Sequence, residues 1–95
     1  MFSKKIFGQR IYELRKNAGE TQTFLGELIG VKKGQISGIE KGNATTTAER
    51  IALICEHYGV SADYLLGLTD DPEPKYGAQG TGQKGSFGKE LSAEG

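Results

Sequence analysis

The feature that most limits how this chain can fold is the stretch TQTFLGELIGVKKGQISGIEKG, from Thr21 to Gly42. It contains two short segments with apolar residues at helical spacing, and Gly30 separates them. Because glycine adopts a left-handed backbone without a Cβ clash, the chain can reverse direction abruptly at this point. A short helix, a tight turn and a second short helix make up the helix-turn-helix arrangement.

The second helix of this pair has few apolar residues of its own. Between residues 32 and 41, only Ile36 and Ile39 are sizeable apolar side chains. The other positions, expected to face outward, are Lys32, Lys33, Gly34, Gln35, Ser37, Gly38 and Lys41. Such a helix fits the major groove of B-DNA, where Lys donates to guanine or phosphate and Gln pairs with adenine. A three-helix core with a solvated polar face is the alternative interpretation.

Helical spacing of apolar residues continues on both sides of this pair. A helix before Gly19, another after the TTT run and a short one after Ser61 complete the pattern. Thr46 with Glu49 three residues on forms a capping box, and Thr47 is the competing cap. The residues expected to face the core are Phe7, Ile11, Leu14, Ala18, Leu25, Leu28, Ile29, Ala48, Ile51, Ala52, Cys55 and Tyr58. We therefore expect a compact all-α domain with five helices.

Charge and composition narrow the class of protein. The net charge is zero, but residues 1–41 hold eight Lys and Arg against four Glu, an excess of +4 that favours phosphate binding by this half. The sequence has no apolar run long enough to span a membrane and no signal peptide at its amino end. A single cysteine, Cys55, excludes an internal disulfide and fits a reducing compartment. We expect a cytoplasmic protein.

The composition changes after Thr69. The remaining residues, DDPEPKYGAQGTGQKGSFGKELSAEG, are rich in glycine, contain two prolines and have few apolar side chains. Such a segment cannot bury enough apolar surface to offset its chain entropy. We predict a helix-turn-helix DNA-binding domain over residues 1–69 and a disordered tail or linker over residues 70–95, for which a protein partner is one candidate ligand.

No group of residues points to catalysis or to a bound metal. His57 is the single histidine, and its expected place is a solvated helix surface beside Glu56, without a Ser or Cys partner. Cys55 and His57 do not share a helical face and lack further metal ligands. The glycine-rich GTGQKG has no Ser or Thr after Lys84, so it does not match a phosphate-binding loop. The prediction is a protein that is not an enzyme and takes no metal or cofactor.

From Phe7 to Asp71, the chain resembles the phage-repressor (Cro-like, Xre-type) helix-turn-helix family. The segments that carry the resemblance are GQRIYELRKNAGETQ, LIGV, QISGIEKG and HYGVSADYLLGLTD. The resemblance implies a lambda-repressor-like DNA-binding domain of five helices. Members usually bind palindromic operators as dimers, with the third helix in the major groove.

The resemblance also assigns roles at matching positions. Gln22 begins the second helix, where the family contacts a phosphate and where free N–H groups suit an anion. The implied base-facing residues are Lys33, Gly34, Gln35, Ser37 and Gly38. The implied phosphate contacts are Thr21, Gln22, Lys32, Lys41 and Asn43.

Two further sets follow from the same resemblance. Arg15 and Glu40 match a pair that forms a structural salt bridge between the first and third helices; two unrelated surface charges are the alternative. The implied dimer interface is Tyr64, Leu65 and Leu68, which on the alternative interpretation only close the core.

Several residues depart from the family pattern. Gly34 and Gly38 stand where side chains usually reach the DNA, which indicates either close backbone approach or weaker base readout, and we favour the latter. Glu20 and Gly26 replace an apolar residue and an alanine, and both suggest a marginal second helix. Phe24 lies on a face that is usually polar, so it is either a core residue or an aromatic contact for a partner.

The predicted function is a DNA-binding transcriptional regulator, a repressor that binds a palindromic operator as a homodimer. One alternative is the antitoxin of a toxin–antitoxin pair, with residues 70–95 ordering on the toxin. Another is a protein-interaction module that has kept the fold but lost operator readout.

Overall fold

A computed structural model describes residues 2–74 of the chain. These residues form five helices and no strand: α1 (Lys4–Asn17), α2 (Gln22–Ile29), α3 (Lys33–Glu40), α4 (Ala48–Tyr58) and α5 (Ala62–Leu65). The predicted all-α architecture with five helices is confirmed. Most of the predicted tail lies outside the described residues.

Side-chain caps and left-handed glycines set the helix boundaries. The hydroxyls of Thr21, Thr47 and Ser61 each accept a hydrogen bond from the backbone N–H three residues further on. Thr47, rather than Thr46, is therefore the cap of α4. Gly30 ends α2 with a φ of 81°, in the left-handed region, as its place in the turn predicted.

The core is a single apolar cluster at the centre of the five helices. Its buried residues are Phe7, Ile11, Leu25, Ile29, Ile36, Ile39, Ile54, Cys55, Val60 and Leu65. Cys55 is a small apolar side chain of this core, and its burial raises the pKa of the thiol to about 11.

Some residues expected in the core lie on the surface. On α4 the buried stripe runs through Ile54, which the sequence analysis missed, and Ala48 and Ala52 are exposed. The stripe follows the i, i+3, i+4, i+7 spacing from Ile51 and is narrower than expected. Leu28 is 36% exposed because α2 buries only one side of its two turns. Ala18 lies beyond the last residue of α1 and is also exposed.

Two glycines allow α3 to lie close to its neighbours. A Cβ at Gly8 of α1 would overlap the carbonyl oxygen of Ile39, and one at Gly26 would lie 2.6 Å from the carbonyl oxygen of Val31. Gly26 is therefore required by the tight turn between α2 and α3. This corrects the expectation that it only weakens the second helix.

Residues just past the predicted boundary at Thr69 contact the helical domain. The backbone N–H of Ser61 donates to the carbonyl oxygen of Pro72 at 2.9 Å. Arg10 of α1 donates to the carbonyl oxygens of Tyr64 and Thr69. Residues 70–74, which the sequence analysis placed in the tail, thus pack on the domain.

Candidate nucleic-acid interface

One face of α3 points away from the core. Ile36 and Ile39 are buried, as predicted, and they leave the opposite side of the helix to solvent. Lys32, Lys33, Gly34 and Gln35 are exposed, and Ser37 and Gly38 are half-buried. A Cβ added at either glycine would meet no atom within 4 Å. The structure therefore brings the predicted base-facing residues together on a surface with room for a ligand.

Gln35 has a second role on this surface. Its Oε1 accepts a hydrogen bond from the backbone N–H of Lys32 at 3.1 Å, which satisfies one of the unpaired donors at the start of α3. This contact uses one of the two lone pairs of Oε1 and fixes the orientation of the Gln35 amide. The predicted pairing with adenine needs both atoms of the amide, so it would require Oε1 either to leave this cap or to accept a second hydrogen bond.

Arg15 and Glu40 form the predicted salt bridge between α1 and α3. Arg15 Nε lies 2.6 Å from Glu40 Oε2, and Nη2 lies 3.0 Å from Oε1, so the contact is two-pronged. The two side chains are 8% and 5% exposed. The hydrogen bond with Glu40 raises the pKa of Arg15 despite its burial. Glu40 is thus a structural residue that fixes the carboxyl end of α3 against α1.

Gln22 extends this buried pair to the start of α2. Its Nε2 donates to Glu40 Oε1 at 2.9 Å, so the side-chain donor predicted for a phosphate is directed to Glu40. The first N–H groups of a helix have no partner within the helix and can still bind an anion. Gln22 thereby couples the amino end of α2 to the position of α3.

A groove of about 750 Å³ lies between the turn that precedes α2 and the start of α3. Thr21, Gln22 and Thr23 line one part of it, and Lys16 and Lys33 contribute cationic side chains. Hydroxyls, helix N–H groups and ammonium groups are the donors that phosphate contacts use. Lys16 was missed by the sequence analysis because its place in the groove depends on how α1 packs against α2.

A second group of cationic side chains lies just beyond the last residue of α3. Lys41 and Asn43 are exposed, on either side of Gly42. A Cβ at Gly42 would lie 3.1 Å from Cγ of Lys5, so the stem of this lysine packs on the turn. Lys5 was also missed, since it is distant in sequence. The outward face of α3 therefore has lysines at both ends.

Glu20 holds the turn before α2 against α4. Tyr58 Oη donates to Glu20 Oε1 at 2.7 Å, and Nε2 of His57 lies 2.6 Å from Glu20 Oε2. Burial acts to raise the pKa of Glu20, but the hydrogen bonds from Tyr58 and His57 outweigh it and lower the pKa. The same contacts, with burial the larger cause, raise the pKa of Tyr58. Glu20 thus joins the turn before α2 to α4, and His57 is not merely a solvated side chain.

The residues predicted for a dimer interface are only partly on the surface. Leu65 is entirely buried, because α5 closes the core with this side chain, so it cannot contact a partner directly. Tyr64 is half-buried beneath the guanidinium of Arg10, 4.2 Å from its ring centroid. Leu68 is 60% exposed. Of the three, Leu68 is the residue best placed for contact with a second chain.

Two other kinds of structural feature are absent from the part of the chain that the structure describes. Residues 2–74 contain no cluster of three or more His, Cys, Asp or Glu side chains placed to hold a metal ion. Within that range no helix combines the length and the apolar character needed to cross a membrane.

Comparisons with known proteins agree with this geometry. The family model HTH_3, described as Helix-turn-helix, matches residues 11–65. The Uncharacterized HTH-type transcriptional regulator YobD of Bacillus subtilis (strain 168) is 39% identical over 70 residues, which cover 74% of this chain and 62% of that protein. Antitoxin PezA of Streptococcus pneumoniae serotype 4 (strain ATCC BAA-334 / TIGR4) is 29% identical over 62 residues, 65% of this chain and 39% of that protein.

Among solved structures, the P22 c2 repressor protein in complex with synthetic operator 9T has the same fold. Its TM-score is 0.60 at 32% identity, and the match covers 63% of this chain and 91% of the repressor chain. The chain spans less than two thirds of each of the two curated relatives. The family match covers more than half of the chain and includes α2, the turn and α3. The chain therefore belongs to the helix-turn-helix family of the phage-repressor type.

Proposed function

We propose that this protein is a sequence-specific DNA-binding transcriptional regulator that inserts α3 into the major groove. The observation that carries this proposal is the outward face of α3. It is held rigidly by two buried isoleucines and the Arg15–Glu40 pair, and it presents only small side chains and hydrogen-bond donors. An α-helix of this kind can be accommodated by a groove about 12 Å wide.

Phosphate contacts at both ends of α3 supply most of the affinity in this proposal. Thr21 and the backbone of Gln22 face one strand together with Lys16, in the groove beside α2. Lys41 and Asn43, with Lys5 beside them, face the backbone beyond the other end. Base readout is limited to few side chains, Lys33 foremost, because two of the outward positions are glycines.

The regulator acts as a homodimeric repressor on a palindromic operator in the cytoplasm. The P22 c2 repressor, which has this fold, was solved in complex with its synthetic operator. Ile6 and Leu68 form an exposed apolar patch suited to a second copy, because Ile6 packs on Gly67, next to Leu68. A dimer through this patch would read half-sites about one helical turn, roughly 34 Å, apart.

The test is a binding titration with purified protein at two salt concentrations. One duplex carries the region upstream of the protein's own gene, and a matched duplex carries a scrambled sequence. Preference for the upstream region, with affinity that falls steeply as salt rises, is the expected result. Salt-insensitive binding, or none to either duplex, would refute the proposal and favour the protein-interaction module.

Replacing Lys33 with Ala tests the groove assignment directly. We expect about tenfold weaker operator binding and relaxed preference at the base that Lys33 contacts, because an outward donor at the start of α3 is lost. Lys84→Ala removes the same charge outside the residues that the family model matches and is the control. Equal affinities of Lys33→Ala and the unmodified protein for the operator would contradict this placement of α3.

An antitoxin is the second candidate function, and the similarity to Antitoxin PezA is what favours it. It differs from the first candidate in needing a protein partner as well as DNA. Co-expression of the chain with the products of its neighbouring genes, followed by purification of any stable complex, separates the two.

A further inference from the structure

An exposed apolar surface runs along α2 and α4, away from the face of α3. The rings of Phe24 and His57 lie with their centroids 5.8 Å apart, and Arg50 Nε donates to the carbonyl oxygen of Ile29 at 3.1 Å. These two contacts show that the helices run antiparallel, with the amino end of α2 beside the carboxyl end of α4. Leu28 lies one turn after Phe24 on α2, and Leu53 lies one turn before His57 on α4. The two leucines are therefore on the same side of this helix pair.

We name this surface the α2–α4 face; its apolar residues are Phe24, Leu28 and Leu53. Their exposed fractions are 43%, 36% and 41%, although each is a large apolar side chain. Grouped exposure of this kind marks an interaction surface more often than scattered single residues do. Phe24 is thus a surface aromatic and not a core residue.

Acidic side chains border the α2–α4 face. Glu27 lies three residues from Phe24, and Glu49 and Glu56 lie four and three residues from Leu53, so all three share this side of their helices. All three are exposed, and the Arg50 guanidinium is directed to the Ile29 carbonyl. The occupant of the face should therefore be cationic and carry apolar side chains.

The acidic border argues against two occupants. DNA phosphates would be repelled by the three carboxylates. A second copy of the same face would bring six like charges together, which disfavours a symmetric dimer here. A basic segment with aromatic anchors meets both requirements.

Such a segment is present in the same chain. Residues 75–89 contain Lys75, Lys84 and Lys89, no acidic residue, and the aromatic side chains of Tyr76 and Phe87. We propose that residues 75–89 bind the α2–α4 face of their own domain, with their lysines against its carboxylates and their aromatic rings against its apolar residues.

The path of the described chain places this segment within reach. The hydrogen bond between Ser61 and Pro72 holds the chain beside the carboxyl end of α4, the end that carries His57. From residue 74 to Phe87, an extended chain covers up to about 45 Å, and the longest dimension of the domain is 40 Å. Because the segment belongs to the same chain, its effective concentration is on the order of millimolar, which lets a small contact area suffice.

Paramagnetic NMR on the full-length chain tests this proposal without DNA, so its outcome is independent of the proposed function. A nitroxide is attached to the thiol introduced by Ser86→Cys. Cys55 is buried and its thiol pKa is about 11, so it reacts slowly, and the unmodified protein treated in parallel checks this. We expect amide signals around Phe24, Leu28 and Leu53 to lose intensity, and those around Lys41 to keep theirs.

Two variants identify the contacts responsible. Phe87→Ser, and separately the combined change of Lys75, Lys84 and Lys89 to Gln, should each restore most of the lost intensity; neither alters the core. Equal loss over the whole domain, or no loss, would overturn the proposal. So would a loss of the same size in isotope-labelled chain that lacks the nitroxide and is mixed with nitroxide-labelled chain, because the contact would then be with a second copy.

Discussion

Replacing Arg15 with Ala removes one partner of the buried ion pair that joins α1 to α3. The side chain of Glu40 is 5% exposed, so its carboxylate would stay buried, and among residues 2–74 only the Gln22 amide would still donate to it. The variant also loses the bond from Arg15 Nη1 to the carbonyl oxygen of Glu20, at 2.8 Å. Glu40→Ala leaves the Arg15 guanidinium buried in the same way.

The size of the effect follows from this burial. Removing one member of a buried pair costs about 3–5 kcal/mol, because the remaining charge is uncompensated. In a domain of this size that corresponds to a fall in Tm of at least about 12 °C. The double variant should be much less destabilised than the sum of the two single ones, with a coupling energy of about 2–3 kcal/mol.

Urea titration followed by circular dichroism gives the free energy of unfolding of the unmodified protein, the two single variants and the double variant. Arg15→Lys keeps the charge but loses the two-pronged contact, and it supplies a milder variant if Arg15→Ala does not fold. Asp70→Ala is the control, since Asp70 pairs with Arg10 from a fully exposed position and its loss should leave Tm unchanged. Single effects that sum to the double effect, within about 0.5 kcal/mol, would refute the coupled pair.

Three other outcomes are expected. Gly38→Ala should raise the free energy of unfolding in urea by about 1 kcal/mol, since a Cβ there meets no atom within 4 Å, whereas Gly26→Ala should lower it. Because folding lowers the pKa of Glu20, this carboxylate contributes to the free energy of unfolding above pH 4.5, and the contribution is lost as the pH falls through the lowered pKa. Glu20→Gln should remove this acid-induced loss of stability, and Tyr58→Phe should make it smaller. The thiol of Cys55 should react with iodoacetamide only after denaturation, because burial raises its pKa to about 11.

Each of these outcomes has a result that would contradict it. A Gly38→Ala variant less stable than the unmodified protein would mean that α3 is packed differently on this side. If the free energy of unfolding depends on acid pH in the same way with and without Glu20, the contact of Glu20 with α4 does not stabilise the domain. Rapid alkylation of the native protein would show that Cys55 is accessible.

Local signals in the sequence are sufficient to predict where the helices begin and end and which side of α3 faces the core. Gly30 and the caps at Thr21 and Ser61 act through their own backbone and the next few residues, so a linear sequence contains the information. The spacing of Ile36 and Ile39 likewise determined which side of α3 faces the core. The Arg15–Glu40 pair came from the family resemblance, since nothing in the spacing joins two residues on different helices.

Contacts between distant residues account for what the sequence analysis missed. The hydrogen bonds of Glu20 with α4 and the packing of Lys5 on the turn after α3 depend on how the helices are arranged. The burial of Leu65 depends on the angle at which α5 meets the core. Local periodicity cannot distinguish a residue that closes a core from one that lies at its edge, and Leu28 and Leu65 were assigned to the wrong sides for this reason.

The glycines of this chain fall into two kinds, and the difference bears on how it reads DNA. Gly8 and Gly26 are required by the fold, because a Cβ at either would strike a backbone carbonyl. No such contact requires Gly34 or Gly38, which cost helix stability and face open space. If they allow close approach to DNA, Gly38→Ala should weaken operator binding while it stabilises the protein. If base readout is simply reduced, the same variant should gain stability and bind as before.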